Sequence, residues 1–169
     1  SALWAPMGAL YGPLHAAADQ QALEMAVEVG EPERAREFVA QCLATGRKVM
    51  GMSHREYRVV DPRSRMIRAL AQQVAHRPEH IELLDVLSAV DEAFIEQTRE
   101  KRRTLRANLE FYKGVVYLAL GIPKEFFTAS FAAARVFGWI AHVMEQRQDN
   151  RIIRPTAHYV GPAPRAMTQ

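Results

Sequence analysis

Apolar positions recur at three- and four-residue spacing along most of the chain, the period of a helix that buries one stripe. The spacing predicts a helix over Ala16 to Val29, through Ala18, Ala22, Met25, Ala26 and Val29, stopped by Gly30 and Pro32. Glu33 to Ala44 repeats the pattern through Ala35, Phe38, Val39 and Leu43 and ends at Gly46. The period breaks from Arg47 to Asp61. Asp61-Pro62 reopens it, because aspartate can accept from the unpaired N–H groups of a first turn and proline suits the first helical position. That helix runs to Ala75, and His76-Arg77-Pro78 interrupts it. A long helix is predicted from Glu79 to Lys101, with Ile81, Leu84, Leu87, Val90, Phe94 and Ile95 as its buried stripe.

After an irregular stretch that starts at Thr104, Phe111 to Leu120 is almost wholly apolar, which predicts a helix buried on most sides. Gly121-Ile122-Pro123 closes it. Glu125 to Arg147 follows as one or two apolar helices whose Met and Phe residues, from Phe126 to Met144, are expected to be core. The tail, Asn150 to Gln169, carries Pro155, Pro162 and Pro164 and is expected to be extended. Strand is limited to short pairings near Val59-Val60 or Tyr159-Val160. The fold class is therefore all-α, a multi-helix domain without repeats.

Composition narrows the setting. The chain has 169 residues, enough for one compact domain, or one domain plus elements that complete another. Hydrophobic residues make up 49% and charged residues 24%, an ordinary soluble balance. No run of about 18 apolar residues suggests a membrane span, and Ser1 to Leu14 lacks the basic start of a signal peptide, so the expected location is cytoplasmic. The single cysteine, Cys42, excludes an internal disulfide and reads as a small apolar filler. The net charge of +3 raises nucleic acid as a partner. Its distribution argues against that: Lys101-Arg102-Arg103 is the one dense basic run, Glu96 and Glu100 flank it, and no aromatics interleave. A metal site is not expected, since His76 and His80 have Pro78 between them and no carboxylate or cysteine spacing completes a set.

Three irregular points each present a titratable side chain. Gly12-Pro13-Leu14-His15 puts His15 at a helix start, where unpaired N–H groups favour a neutral imidazole that can donate to a carbonyl; taken alone, a histidine there is more often a satisfied structural residue. Met50 to Arg58 places His54 among arginines in a glycine-containing loop, which reads as an anion site or as a solvated loop. Asn108-Leu109-Glu110-Phe111-Tyr112 carries a carboxylate into the most apolar helix. Burying it bare is costly, so Glu110 is a general base or a capping acid, and must be paired, solvated or protonated.

Taken together the segments resemble the citrate synthase family. Its histidine segments look like Gly-Pro-x-His-Gly-Gly-Ala-Asn and Met-Gly-x-Gly-His-Arg-x-Tyr-x-x-x-Asp-Pro-Arg; here they read GPLHAAAD from Gly12 and MGMSHREYRVVDPR from Met50. The family's Asn-Val-Asp-Phe-Tyr-Ser-Gly is similar to NLEFYKG from Asn108. The likeness continues through VVYLALGIP, FFTASFAAARVFGWIAHVMEQ and NRIIRPTAHYVGP.

The resemblance implies condensation of acetyl-CoA with oxaloacetate, with no cofactor beyond these substrates. It implies Glu110 as base, His15 as the donor to the enol oxygen, and His54 at the oxaloacetate carbonyl. It also implies Arg63 and Arg154 on the dicarboxylate and Arg58 on CoA phosphate. The match corresponds to the carboxy-terminal part of the family: residues 1–120 as small domain with catalytic loops, and 121–169 as helices and tail completing the large domain. A homodimer, or a hetero-oligomer with an amino-terminal citrate synthase-like chain, follows from that reading. Glu110 for Asp, Ala16 and Ala17 for Gly, Asp19 for Asn, Ser53 for Gly and Glu56 depart from the pattern. They keep two alternatives in view: a related acyl-CoA condensing or citryl-CoA cleaving enzyme, and a catalytically silent interaction subunit.

Overall fold

The structure, a computed structural model, describes every residue except 1, 12–17, 53, 55–58, 100–105 and 164–169. Among the described residues the regular structure is helical: α1 Trp4–Leu10, α2 Ala18–Val29, α3 Ala35–Thr45, α4 Pro62–Val74, α5 Pro78–Thr98, α6 Leu109–Ala119 and α7 Phe127–Gln148. Short 3₁₀ turns at Pro32–Arg34 and Lys124–Phe126 lead into α3 and α7. Neither Val59-Val60 nor Tyr159-Val160 pairs as a strand; the extended pairing that forms is an isolated antiparallel bridge between Met52 and Ala107.

The core is built around α6, which packs against α2, α4 and α5, while α3 lies on α5. Six consecutive residues of α6, Phe111 to Val116, are buried, as expected for a helix apolar on nearly every side. Phe111 and Tyr112 meet edge to face at 4.9 Å, and each aromatic of this kind contributes about 1.5–3 kcal/mol by leaving water. Gly114 lets α2 approach closely, because a Cβ there would stand 2.7 Å from Leu23 Cγ. Tyr112 donates its hydroxyl to Asp91 on α5 at 3.0 Å. Burial pushes the Asp91 carboxyl up, against the opposing pull of that hydrogen bond and of the Arg68 guanidinium.

The predicted stripes hold through most of their length and differ at single positions. On α5 Leu84, Leu87, Val90 and Phe94 are buried as expected, but His80 turns inward at the start of the helix and Ile81 is exposed. On α3 the inward series runs Ala35, Val39 and Cys42, leaving Leu43 exposed. Cys42 is thus the buried filler expected, and burial raises its thiol above its ordinary range. Helix α1 is not among the predicted elements; its Pro6 sits in the first turn, where the missing N–H is not needed.

Helix α7 departs furthest from expectation. Phe127 and Ala132 are its buried residues, whereas Phe126, Phe137, Ile140 and Met144 are exposed. The apolar face is present, and α1 and the 3₁₀ turn before α7 are the elements that pack on this helix most. By length and composition Lys124–Gln148 could cross a bilayer, which the absence of a continuous apolar run had argued against; the span tolerates its few interior polar residues. The tail from Asn150 to the last described residue has no regular structure.

Candidate active site

The first turn of α6 is where the motif segments meet. Asn108 caps the helix, its side-chain oxygen accepting from Glu110 N–H at 2.8 Å. Its own N–H donates to Gly51 O at 2.9 Å, and the neighbouring Ala107 bridges Met52. The chain on one side of His54 is therefore stitched to the residues that precede Glu110. Gly51 is required for this approach: its φ is +75°, and a Cβ would lie 2.9 Å from Phe111 Cα.

The other side of the histidine loop is fastened to the same turn by Asp61. Its carboxylate accepts from Leu109 N–H at 3.3 Å and caps α4 by accepting from Arg63 N–H at 3.0 Å. Arg63 closes a fork on it through Nε at 3.0 Å and Nη2 at 2.9 Å. Burial pushes the Asp61 carboxyl up, but the bonds from the Arg63 guanidinium and backbone and from Leu109 outweigh it and hold it below the usual carboxylate range.

The third segment arrives through α2. Asp19, in the first turn of α2 and fully buried, pairs with Lys113 Nζ at 3.1 Å. Lys113 also closes an ion pair with Glu110 one turn earlier on α6. Lys113 is buried, with its Nζ over the rings of Phe131, 5.0 Å away, and Tyr117, 5.5 Å away. Burial by itself drives its ammonium down; the charges of Glu110 and Asp19 more than offset this and leave it above its ordinary range. Glu110 is thus paired, partly buried and inside the first helical turn, while Asn108 does the capping.

Of the residues singled out by sequence, the structure brings together the segments of Glu110, His54 and Arg63. His54 is exposed in the loop anchored at Gly51 and Asp61. His15 and Arg58 lie outside the described residues, as do Ala16, Ala17, Ser53, Glu56 and the basic run at 101–103. The segment of His15 leads directly into Asp19, which is tied through Lys113 to Glu110. Arg154 is exposed in the tail and joined to this junction by no hydrogen bond or ion pair among the described residues. The pairing of Asp19 with Lys113 was missed by sequence reasoning. Its signal is a lone lysine inside the most apolar helix, which demands a counter-charge. Among the described residues no group of three or more His, Cys, Asp or Glu is arranged to hold a metal ion.

This all-α architecture and its motif junction match one family. A profile described as "Citrate synthase, C-terminal domain" matches residues 1–156. Citrate synthase from Deinococcus radiodurans is 39% identical over 161 residues, covering 95% of this chain and 42% of the relative. That from Synechocystis is 40% identical over 155 residues, covering 92% and 38%. Among solved structures, citrate synthase from Thermotoga maritima aligns with a TM-score of 0.82 at 40% identity, covering 96% of this chain and 44% of that one. The ternary complex of carboxymethyl coenzyme A and oxaloacetate with citrate synthase from Thermoplasma acidophilum aligns with a TM-score of 0.86 at 32% identity, covering 96% and 43%. The chain belongs to the citrate synthase family. It spans about two-fifths of the length of these curated relatives. The aligned structures cover nearly all of the chain.

Proposed function

We propose that this chain supplies the carboxy-terminal catalytic portion of an enzyme that condenses acetyl-CoA with oxaloacetate and works with an amino-terminal portion of the same fold. The observation that carries this reading is the convergence on the first turn of α6 of the segments bearing His54 and Glu110, with α2 bringing the end of the His15 segment to the same place. A thioester α-proton is a very weak acid, so its removal needs a positioned carboxylate and a donor to the developing enolate oxygen.

In this reading the Glu110 carboxylate takes the methyl proton, the C–H electron pair forms the C=C bond of the enolate, and the carbonyl π pair moves to the oxygen. That oxygen accepts a hydrogen bond from neutral His15. The enolate carbon then attacks the oxaloacetate carbonyl, whose oxygen takes a proton from His54, and water cleaves the citryl thioester to release CoA. Arg63 and Arg154 bind the dicarboxylate and Arg58 a CoA phosphate. Acetyl-CoA enters as substrate, and no further cofactor is needed.

The chain is read as 1–120 and 121–169; most of the core lies in the first part, from α2 to α6, and Phe127 at the start of α7 joins it from the second. Beyond it, Phe137 is 76% exposed and Ile152 91% exposed, a surface suited to burial against further protein, as in a dimer or a complex with the amino-terminal part. A cytoplasmic setting suits these substrates. A catalytically silent subunit is the second reading, favoured by the ion pair that occupies Glu110.

The test is CoA release from acetyl-CoA plus oxaloacetate by the chain combined with its amino-terminal portion. Activity that is lost in Glu110→Ala and in His54→Ala supports condensation. A fully assembled complex that turns over no acyl-CoA supports the silent subunit.

A further inference from the structure

We propose that Asp19, Lys113 and Glu110 act as one charge unit in which Lys113 is a positioning residue, anchoring the Glu110 carboxylate to the start of α2. The inference rests on the condensation reading for its catalytic consequence and on geometry for the unit itself. Lys113 Nζ stands 3.1 Å from Asp19 and is bonded to Glu110, with side-chain exposures of 7% for Lys113, 2% for Asp19 and 23% for Glu110. Asp19 is the fixed end, buried on α2; Glu110 is the end that reaches partly into solvent.

All three positions are among those at which the two motif segments depart from the family pattern, beside Ala16, Ala17 and Leu109. Asp19 stands for Asn, Glu110 for Asp and Lys113 for Ser in GPLHAAAD and NLEFYKG. The two buried charges suit one another: without Lys113 the Asp19 carboxylate loses its counter-charge, and without Asp19 the Lys113 ammonium is left with Glu110 alone. Glu110 adds a methylene and a rotatable bond, which would let the carboxylate wander by about 1 Å, a displacement worth on the order of 10²-fold in rate. Lys113 removes that freedom. It draws the longer side chain back along its own helix toward α2, where the His15 segment ends. The rings of Phe131 and Tyr117 flank the ammonium and hold it in place.

Two measurements on the complete protein test this. Amine acylation with an N-hydroxysuccinimide acetate, read residue by residue by mass spectrometry, needs no turnover. Lys113 should be among the slowest lysines in the wild type, and Glu110→Gln should speed its modification about 10-fold or more as the unit opens; equal protection in both overturns the unit. The kinetic measurement uses Asp19→Asn/Lys113→Ser, which removes both buried charges together and so leaves neither bare. Its kcat should fall about 10- to 100-fold with the KM for oxaloacetate little changed, and adding Glu110→Asp should restore most of the loss. Wild-type kcat in the double variant overturns the positioning role, as does a gain in rate, which would make Lys113 a block on Glu110. If the wild type turns over nothing, the condensation reading fails, and the acylation result still decides whether the unit exists.

Discussion

Gly51→Ala is the sharpest single perturbation of the junction that holds the histidine loop. An alanine at φ +75° pays the left-handed penalty, about 1–2 kcal/mol. Its Cβ would also lie 2.9 Å from both Phe111 Cα and Cδ2, and backbone at that distance cannot swing aside. Overpacking of this kind adds about 1–3 kcal/mol, for a total of about 2–5 kcal/mol. In a domain of this size each kcal/mol moves the melting temperature by about 2–4 °C, so the variant should melt about 4–20 °C lower. Gly46→Ala separates the two causes, since Gly46 has φ +73° with nothing within 4 Å of its Cβ position. That control should lose only the conformational part, about 2–8 °C. Thermal unfolding followed by circular dichroism at the helical band reads both. If Gly51→Ala melts no lower than Gly46→Ala, the close approach of the loop to α6 is wrong, and with it the placement of His54.

Removing the Asp61 carboxylate by Asp61→Ala strips the cap from α4 and leaves Leu109 N–H and the Arg63 fork without their acceptor; the urea midpoint should fall by an amount equivalent to about 1–3 kcal/mol. The same group predicts a pH dependence. Its folded-state pKa is depressed, so its contribution is complete above the unfolded value of about 4 and is lost as pH falls through the lower folded value. The stability gap between wild type and Asp61→Asn should be constant from about pH 7 to pH 5 and close below about pH 4; a gap that widens on acidification contradicts the assignment. Gly114→Ala should destabilise by about 1–3 kcal/mol through its clash with Leu23, and Leu23→Ala/Gly114→Ala should lose less than the two single changes summed. Strict additivity in that cycle would mean α2 and α6 do not meet there.

Several local signals were legible in the sequence where a residue acts on its own turn. Asp61-Pro62 marks the start of α4 to the residue, because cap and proline chemistry are local. Gly30 and Gly46 end α2 and α3 where the period stops. The stripes of α3 and α5 were harder: an aliphatic residue and its neighbour compete for the inward position, and packing gave it to Cys42 over Leu43 and to His80 over Ile81. The exposure of α7 was illegible for a different reason. Periodicity reports which face is apolar, and the face of Phe137 and Met144 is apolar whether or not its cover belongs to this stretch of chain.

Within the site, His15, His54 and Glu110 stood out at breaks in the helical period, and the packing of the Gly51 and Asp61 segments on the first turn of α6 was not readable from any one of them. Gly51 carried part of that information, since a glycine in the histidine loop permits close backbone approach, though to an unknown neighbour. The pairing of Asp19 with Lys113 joins two helices far apart in sequence, and only the cost of an unpaired lysine inside α6 hinted at it.

The account depends most on the junction being built to surround one thioester. The direct measurement is a crystal structure of the complete protein with oxaloacetate and a carboxymethyl analogue of acetyl-CoA. The account predicts the Glu110 carboxylate about 3–3.5 Å from the analogue's reacting end, with the imidazoles of His15 and His54 on the same ligands and Lys113 still bonded to both acids. A ligand bound elsewhere, with Glu110 closed on Lys113 and out of reach of both histidines, would contradict it.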